Sequence, residues 1–354
     1  NTTRMEPDLL QWLDLVALGT VCDVVKLIGL NRAFVAQGLK IASQRRNIGI
    51  TALASIAGCK LIIDTYAAGF LLGPRVNAGG RVGEATSGSR LLSTDNPAEA
   101  QQLAEHLNQL NAERRAIEAD VLKEAEALHI EGNQPIVFVA RDNWHPGVIG
   151  IVASRLKDKF HHPALVVALD GEIGKGSGRS VNGIDLGAHV IAARQSGLLI
   201  NGGGHAMAAG FTVARNQIDA LCAFLSDRIG KQIAAEPLVP TLTVDSLLAS
   251  SALTTDFVHR LNALAPFGTG NAEPRFALAE CRIVRADIVG EKHVSVIVMQ
   301  GGARTKGIAF RAMDSALGAE LLKRPTCHLA GHLRINEWQG VESVQLQIED
   351  AASA

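Results

Sequence analysis

The first pattern in this sequence that could do chemistry is a run of three glycines followed by a histidine, Gly202-Gly203-Gly204-His205. Glycine tolerates positive φ and lets other groups approach the backbone closely. A glycine run after a strand can therefore turn its N–H groups toward an anion, and His205 can donate a hydrogen bond to the same anion. The alternative is a tight turn whose histidine only packs, because a glycine run alone is a weak signal.

A second glycine-rich stretch, GKGSGR at residues 174–179, contains Ser177 and Arg179. Two residues that are two apart on an extended chain point to the same side, and arginine can bind a phosphate through two parallel hydrogen bonds. The stretch is too polar for a core, so we predict that Ser177 and Arg179 bind a phosphate. A solvated hairpin tip is the alternative.

Two further stretches place basic or aromatic residues beside predicted elements. In ARDNWHPGVIGI, Arg141 and His145 follow a predicted strand and precede a helix, and ligands bind at that carboxyl edge of an α/β sheet. Trp144 as a lid over the core is the competing interpretation. In GPRVNAGGR, Asn77 and Arg81 lie in a predicted glycine-rich loop that suits a polyanion, with a structural turn and solvated arginines as the alternative.

Asp23 is a carboxylate near the end of the largely apolar stretch LDLVALGTVCDVV. Burying an aspartate is costly unless it is paired, hydrogen-bonded or bound to a metal ion. A single carboxylate cannot hold a metal, so the residues alone favour a hydrogen-bonded core aspartate.

Composition limits the classes of function. The 354 residues are 47% hydrophobic and 19% charged, which is ordinary for a globular protein, and no apolar run is long enough for a membrane span. The 34 basic and 35 acidic residues nearly cancel, so nucleic-acid binding would depend on local patches. Five scattered cysteines without a C-x-x-C pair indicate reduced thiols and a cytoplasmic location.

The elements that would position these residues suggest an α/β multidomain chain. Residues 1–97 alternate helical patterns with glycine-rich turns, and a helix of about thirty residues begins after Asp95-Asn96-Pro97 and connects two lobes. Residues 134–232 contain short apolar runs typical of buried strands, with helices between them.

Residues 238–354 have a different character. They alternate apolar and polar residues with frequent turn signals, which predicts an all-β module of the oligonucleotide-binding (OB) type. Residues 271–311 contain seven basic and four acidic side chains. A basic strand face suits single-stranded nucleic acid, although solvated strands are the default interpretation.

Together these stretches resemble the RecJ family of single-strand-specific 5′→3′ exonucleases in the DHH phosphoesterase superfamily. LDLVALGTVCDVV and GPRVNAGGR resemble the last two motifs of the family's catalytic DHH domain, and LNAERRAIE resembles the start of its connecting helix. WHPGVIGIVASRL, GSGRS and NGGGHAMAAGF are similar to the DHH-associated domain, and LAPFGTGNAEPRF resembles the start of its OB-fold.

The resemblance implies four domains: part of a DHH domain (1–97), a connecting helix (98–131), a DHH-associated domain (134–232) and an OB-fold (238–354). It also implies roles. Asp23 would be a ligand of paired Mn²⁺ or Mg²⁺ ions, Arg81 would lie near the scissile strand, and His205 would contact the scissile phosphate. The remaining predicted substrate-binding residues are Ser177, Arg179, Gly202, Gly203, Gly204, Asn77, Arg141 and His145.

This sequence departs from the family's pattern in one respect. The first three family motifs, which carry the Asp-x-Asp and Asp-His-His ligands, are absent from these 354 residues. Because two-metal hydrolysis needs several bridging carboxylates, we expect an inactive fragment that retains DNA-binding parts. The implied substrate is single-stranded DNA with a 5′ end, in DNA repair and recombination, and a single-strand-binding protein and a helicase are the protein partners to test.

Two other functions stay open at this point. One is a small-oligonucleotide phosphodiesterase of the same superfamily, against which the C-terminal β module argues. The other is a non-catalytic module that binds single-stranded nucleic acid without regard to the 5′ end.

Overall fold

A computed structural model describes residues 8–129, 134–239, 241–323 and 326–354. Their contacts divide them into two compact units. The barrel unit consists of residues 8–43 and 63–65 together with the described residues from 241 onward, and the sheet unit consists of residues 44–62 and 66–239. The predicted segment 1–97 therefore contributes to both units.

The barrel unit begins with two packed helices, α1 (Leu13–Cys22) and α2 (Gly29–Ser43). A Cβ on Gly38 would lie 2.0 Å from the carbonyl oxygen of Leu13, so glycine permits their close crossing. Asp23 follows α1 and is exposed, which makes the expectation of a core aspartate at this position wrong. The buried acid of this stretch is Asp14, which is 3% exposed. Asp14 lies on the buried side of α1 with Ala17 and Leu18, whereas Asp23 is the first residue after the helix.

The sheet unit begins with short helices. They are α3 (Ile48–Ile56), a π-helical turn (Ala67–Leu72), α4 (Gly73–Val76), α5 (Gly79–Val82) and α6 (Thr86–Ser93). The predicted loop at residues 73–81 is therefore wrong. Glycine here serves close packing, because a Cβ on Gly79 would lie 2.5 Å from the carbonyl oxygen of Glu84.

Helix α7 (Pro97–Leu128) confirms the predicted long helix. Its 32 residues span about 48 Å at 1.5 Å per residue. The Asn96 side chain accepts hydrogen bonds from the N–H groups of Ala98 and Glu99, and Pro97 occupies the first turn, where its missing N–H costs nothing.

A five-stranded sheet forms the centre of the sheet unit. In chain order its elements are β1 (Val137–Asp142), α8 (Ile149–Phe160), β2 (Ala164–Asp170), β3 (Ile173–Arg179), α9 (Leu186–Gln195), β4 (Asn201–His205), β5 (Ala208–Ala214) and α10 (Ile218–Ala235). The strand order is β1-β2-β3-β5-β4; β1 and β2 are parallel and the other pairs are antiparallel. The α/β prediction for residues 134–232 is confirmed.

The two faces of this sheet are covered unequally. One face packs on α9 and α10 through residues such as Leu165, Phe211 and Val213. On the other face, α7 and α8 form a core with residues of β1 and β2, including Val139 and Val166. On this second face, the residues of β3, β5 and β4 are exposed or half-buried. We call this part of the sheet the open face, and it includes Lys175, Ser177, Arg179, Asn201, Gly203, His205, Ala208, Gly210 and Thr212.

The glycine run lies in β4, an edge strand of the sheet, and not in a turn after a strand. Gly203 is paired with Gly210 of β5, and His205 is paired with Ala208. The alternative interpretation as a tight turn is wrong because β5 supplies a pairing partner that the local sequence does not reveal.

The rest of the barrel unit is all-β with two short helices. Its elements are β6 (Ser246–Leu247), α11 (Thr255–Asn262), β7 (Phe276–Val289), β8 (His293–Gln300), β9 (Ala303–Ala309), α12 (Ala316–Leu322), β10 (Thr326–Trp338) and β11 (Val341–Ser353). Five strands close in the order β7-β8-β9-β11-β10, since β10 pairs back onto β7. This confirms the predicted OB-type barrel. No helix in the described part of the chain is long and apolar enough to cross a membrane.

Candidate nucleic-acid interface

The polar residues of the open face are aligned in rows by the strand register. Ser177 of β3, Gly210 of β5 and Gly203 of β4 form one row. Arg179, Ala208 and His205 form the next row. Since directly paired residues point to the same face, the predicted pair Ser177 and Arg179 shares this surface with His205. β3 and β4 are separated by β5, so the two sides of the surface are roughly 10 Å apart.

Arg179 has a polar environment, and none of the described carboxylates forms an ion pair with it. Its guanidinium donates hydrogen bonds to Ser177 Oγ at 3.2 Å and to the Gly178 carbonyl oxygen at 2.8 Å. Burial and, secondly, the charge of Arg81 lower the pKa of Arg179 from its ordinary value. Arginine stays charged in spite of such a shift. The ion pairs found among the described residues include none with Arg179 or Arg81, so this positive charge is not compensated.

The first turn of α8 lies against Ser177 and Arg179. A Cβ on Gly150 would lie 3.0 Å from Ser177 Oγ and 3.1 Å from an Arg179 guanidinium nitrogen. The N-terminus of a helix carries free N–H groups and a partial positive charge. The helix end, Arg179 and Arg81 together therefore form a positive environment that suits an anion.

Arg81 is held near this helix end by the segment before α8. Its guanidinium donates to the Gly147 carbonyl oxygen at 3.1 Å. A Cβ on Gly147 would lie 2.2 Å from the Arg81 carbonyl oxygen, so a larger residue would separate these segments. His145 Nδ1 accepts a hydrogen bond from the Gly147 N–H at 3.0 Å. The neutral His145 ring therefore carries its proton on Nε2.

His205 has the same tautomer for the same reason. Its Nδ1 accepts a hydrogen bond from the Met207 N–H at 3.3 Å, which leaves Nε2–H as the donor of an exposed ring. Gly187 of α9 permits this end of β4 to pack closely against the helix, because a Cβ on Gly187 would lie 2.8 Å from the His205 backbone nitrogen. In both His145 and His205, a backbone N–H two residues further along the chain donates to Nδ1 and so leaves Nε2–H as the ring's donor.

Two predicted binding residues are not brought into this arrangement. Arg141 pairs with Glu124 of α7 at 3.4 Å. The strand register places Arg141 level with Lys175, which lies four residues before Arg179 on β3. Asn77 is exposed at the end of α4. Trp144 is buried and donates to Glu124 Oε2 at 2.8 Å, so it belongs to the core.

A buried ionic cluster on α7 was missed by the sequence analysis. Arg114 donates to Glu118 Oε2 at 2.7 Å and to Asn111 Oδ1 at 3.0 Å, and Arg155 of α8 contacts Glu118 Oε1 at 3.4 Å. Burial lowers the pKa of Arg114 most, while Glu118 raises it and Arg81 lowers it further. The i,i+4 spacing of Arg114 and Glu118 was the available signal.

The predicted metal ligand does not have companions in the described residues. No group of three or more His, Cys, Asp or Glu side chains in the described ranges is arranged to hold a metal ion. Asp23 is exposed in the barrel unit, and a single carboxylate does not fit a two-metal site.

Comparison with known proteins gives two family matches. The DHHA1 domain model matches residues 133–231, and the RecJ OB domain model matches residues 244–350. A single-stranded-DNA-specific exonuclease RecJ of Dickeya dadantii is 37% identical over 361 residues, covering 97% of this chain and 62% of that protein. A protein of the same name from Bacillus subtilis is 32% identical over 347 residues, covering 96% and 44%.

A solved structure agrees with these matches. The crystal structure of RecJ in complex with Mg²⁺ from Thermus thermophilus superposes with a TM-score of 0.86 at 32% identity, covering 98% of this chain and 53% of that chain. A Mn²⁺ complex of RecJ from the same organism gives a TM-score of 0.85. This chain thus spans less than two thirds of the length of these relatives.

The fold and the open face define a class of protein in which a DHHA1 domain is joined to an OB-fold barrel. The similarity extends over nearly the whole chain, including the helices before the DHHA1 domain. The chain carries the DHHA1 and RecJ OB domains, and it is similar to part of the RecJ exonucleases over nearly its whole length.

Proposed function

We propose that this chain is the substrate-holding portion of a single-strand-specific 5′→3′ DNA exonuclease. The observation that carries the proposal is the uncompensated charge of Arg179 and Arg81, beside the N-terminus of α8 and an open polar sheet face. Relatives that share this part of the chain are named single-stranded-DNA-specific exonucleases.

The residues of the open face have separate roles in this proposal. Arg179 and Ser177 bind the 5′-terminal phosphate, because a guanidinium and a hydroxyl within 3.2 Å of each other can donate to the same anion. His205 donates its Nε2–H to the phosphate that follows. Arg81 and His145 lie on the α8 side of the terminal phosphate and add charge and a further N–H donor.

Gly203 serves the same surface by keeping β4 free of a side chain there. Gly202 and Gly204 alternate to the other face of β4, where packing is tight, and they remain predictions as substrate-binding residues. Asn77 and Arg141 remain predictions for contacts with other parts of the strand, and Arg141 would first have to leave Glu124. The OB-type barrel holds the incoming single strand through its basic strands.

In the complete enzyme, Mn²⁺ or Mg²⁺ ions would activate the attacking water and stabilise the leaving oxygen. Asp23 would be one ligand. The described residues do not form the rest of such a site, so no hydrolytic step is derived from this chain. The proposed setting is cytoplasmic DNA repair and recombination, with a single-strand-binding protein and a helicase as partners.

The test measures binding of labelled oligo(dT) with a 5′-phosphate or a 5′-hydroxyl. We expect the wild-type chain to bind the phosphorylated end more tightly. Arg179→Ala should reduce affinity for that end by roughly tenfold, the effect of losing one charge-assisted hydrogen-bonding group, and should leave the hydroxyl end unchanged.

Arg228→Ala is the matched control, because it removes the same charge from the exposed surface of α10 on the opposite side of the sheet. Equal binding of the two 5′ ends by the wild-type chain would contradict the phosphate pocket. It would favour a non-catalytic module that binds the strand interior.

A further inference from the structure

The glycines of the five-stranded sheet differ in whether the fold requires them. A Cβ on Gly176 would lie 2.2 Å from the Phe211 ring, one on Gly178 would lie 2.7 Å from Leu186, and one on Gly204 would lie 2.3 Å from the Ala208 carbonyl oxygen. Gly202 is also tight, at 3.1 Å from its neighbours. Packing therefore explains these positions.

Packing does not explain Gly203 and Gly210. A Cβ on Gly203 would meet no atom within 4 Å, and a Cβ on Gly210 would meet only the Gly176 carbonyl oxygen, at 4.0 Å. Neither residue has positive φ. Glycine inside a strand weakens the sheet and, where packing does not require it, marks a close approach by a ligand or another backbone. The fold thus gives no reason for glycine at either position.

The two glycines lie between the groups that bind phosphate in the proposed function. Gly210 is paired with Ser177 on one side and with Gly203 on the other. Arg179 and His205 occupy the two ends of the neighbouring row, with the small Ala208 between them. The surface between the charged or donating side chains is therefore nearly bare backbone over roughly 10 Å.

We propose that Gly210, together with Gly203, forms a side-chain-free floor for the sugar of the 5′-terminal nucleotide. This inference rests on the proposed function and extends it to Gly210 and to the part of the substrate between two phosphates. The terminal phosphate lies at Ser177 and Arg179, the next phosphate reaches His205, and the sugar between them lies on the two glycines. A methyl group at either position occupies the space of the sugar.

The experiment compares Gly210→Ala and Gly203→Ala with the wild-type chain. Thermal unfolding should show unchanged or slightly higher stability, because alanine has room at both positions and suits a strand better than glycine. Affinity for 5′-phosphorylated oligo(dT) should fall by roughly tenfold in each variant, the effect of a group that intrudes on a close contact. Loss of affinity without loss of stability identifies a ligand contact.

Inorganic phosphate separates this inference from the proposed function. As a competitor it should occupy only the site at Ser177 and Arg179, so its inhibition constant should be the same for the wild type and for both glycine variants. Gly19→Ala is the control substitution, because Gly19 also has open space around its Cβ but lies in α1. It should leave all binding unchanged.

Each other outcome overturns a defined part of the argument. If the wild-type chain prefers the phosphorylated end but the glycine variants bind as well as wild type, the floor is refuted and the proposed function stands. If the variants lose inorganic phosphate and oligonucleotide equally, the methyl groups distort β3 and the floor is again refuted. If the wild-type chain shows no preference and phosphate does not compete, the proposed function fails and the floor fails with it.

Discussion

At the scale of single residues, Gly187 determines where His205 lies. A Cβ on Gly187 would come within 2.9 Å of the backbone at Gly204 and His205, and backbone atoms cannot rotate away as a flexible side chain does. Helix α9 and the edge strand β4 can therefore approach closely only with glycine at position 187.

We predict that Gly187→Ala destabilises the chain by about 1–3 kcal/mol, the usual cost of overpacking, and weakens binding of a 5′-phosphorylated oligonucleotide. Thermal unfolding and the binding titration measure the two effects. Gly19→Ala, the same substitution in a helix with open space, should stabilise by up to about 1 kcal/mol. Unchanged stability of Gly187→Ala would show that β4 can move away from α9 without cost.

Asp14 is a second residue with a consequence of its own. It is buried in α1, and burial raises the pKa of its carboxyl group, partly offset by the hydrogen bond from the Leu15 N–H. A raised folded-state pKa means that the folded chain binds the proton more tightly than the unfolded chain. Stability from this group is therefore present below the unfolded pKa and is lost as the pH rises through the folded pKa.

Asp14→Asn should accordingly raise the free energy of unfolding at neutral pH, by about 1 kcal/mol, because the amide keeps the acceptor oxygen without a charge. The gain should shrink as the pH falls through the raised folded-state pKa of Asp14, and it should be lost once the pH is below the ordinary pKa of an aspartate. Denaturant unfolding of both proteins across this pH range is the measurement. A gain that does not depend on pH would show that the carboxyl group is not the cause.

At the scale of elements, the contact between α7 and α8 depends on a buried ionic cluster. Glu118 is 9% exposed and accepts from Arg114 within α7 and from Arg155 of α8. Removing one member of a buried ion pair leaves an uncompensated charge, whereas replacing both members with apolar residues often costs little.

We predict that Glu118→Ala destabilises the chain by about 3 kcal/mol, and that Arg114→Leu combined with Glu118→Leu costs less. A denaturant double-mutant cycle tests the difference. Asp227→Ala provides the control, because Asp227 and Lys231 form an i,i+4 pair on α10 that is largely exposed and should contribute little. A double variant that is less stable than Glu118→Ala would refute this account.

At the scale of the whole molecule, the chain contains the parts that we propose to bind DNA, but its described residues do not contain a complete metal site. Two-metal hydrolysis requires several carboxylates that bridge the ions. Phosphate binding requires only positive charge and N–H donors, which the open face and the end of α8 provide. The proposed binding of phosphate therefore does not depend on the metal site that cleavage requires.

We predict that the purified chain with added Mn²⁺ binds labelled single-stranded DNA without cleaving it. The logarithm of the binding constant should fall linearly with the logarithm of salt concentration, as released counterions require. Gel analysis of 5′- and 3′-labelled strands, beside a salt titration, is the measurement. Release of 5′-mononucleotides would contradict the prediction and would reveal metal ligands other than those recognised here.

Much of the fold follows from local sequence pattern. Asn96 and Pro97 determine the start of α7, alternation of apolar and polar residues determines the barrel strands, and the two-residue spacing of Ser177 and Arg179 places both side chains on one face. These features depend on backbone periodicity and on capping hydrogen bonds between neighbours in sequence. They can be derived without knowing which distant segments meet.

Tertiary structure alone decided the rest. Pairing with β5 makes the glycine run an edge strand, and packing places two short helices, α4 and α5, where a loop was predicted. Arg141 forms an ion pair with Glu124, and Asp23 is exposed to solvent. Strand pairing also placed Gly210 opposite Gly203 and next to Ser177, one of the residues that we propose to bind phosphate. Burial, charge compensation and strand register arise from contacts between distant segments, so no local pattern in the sequence contains them.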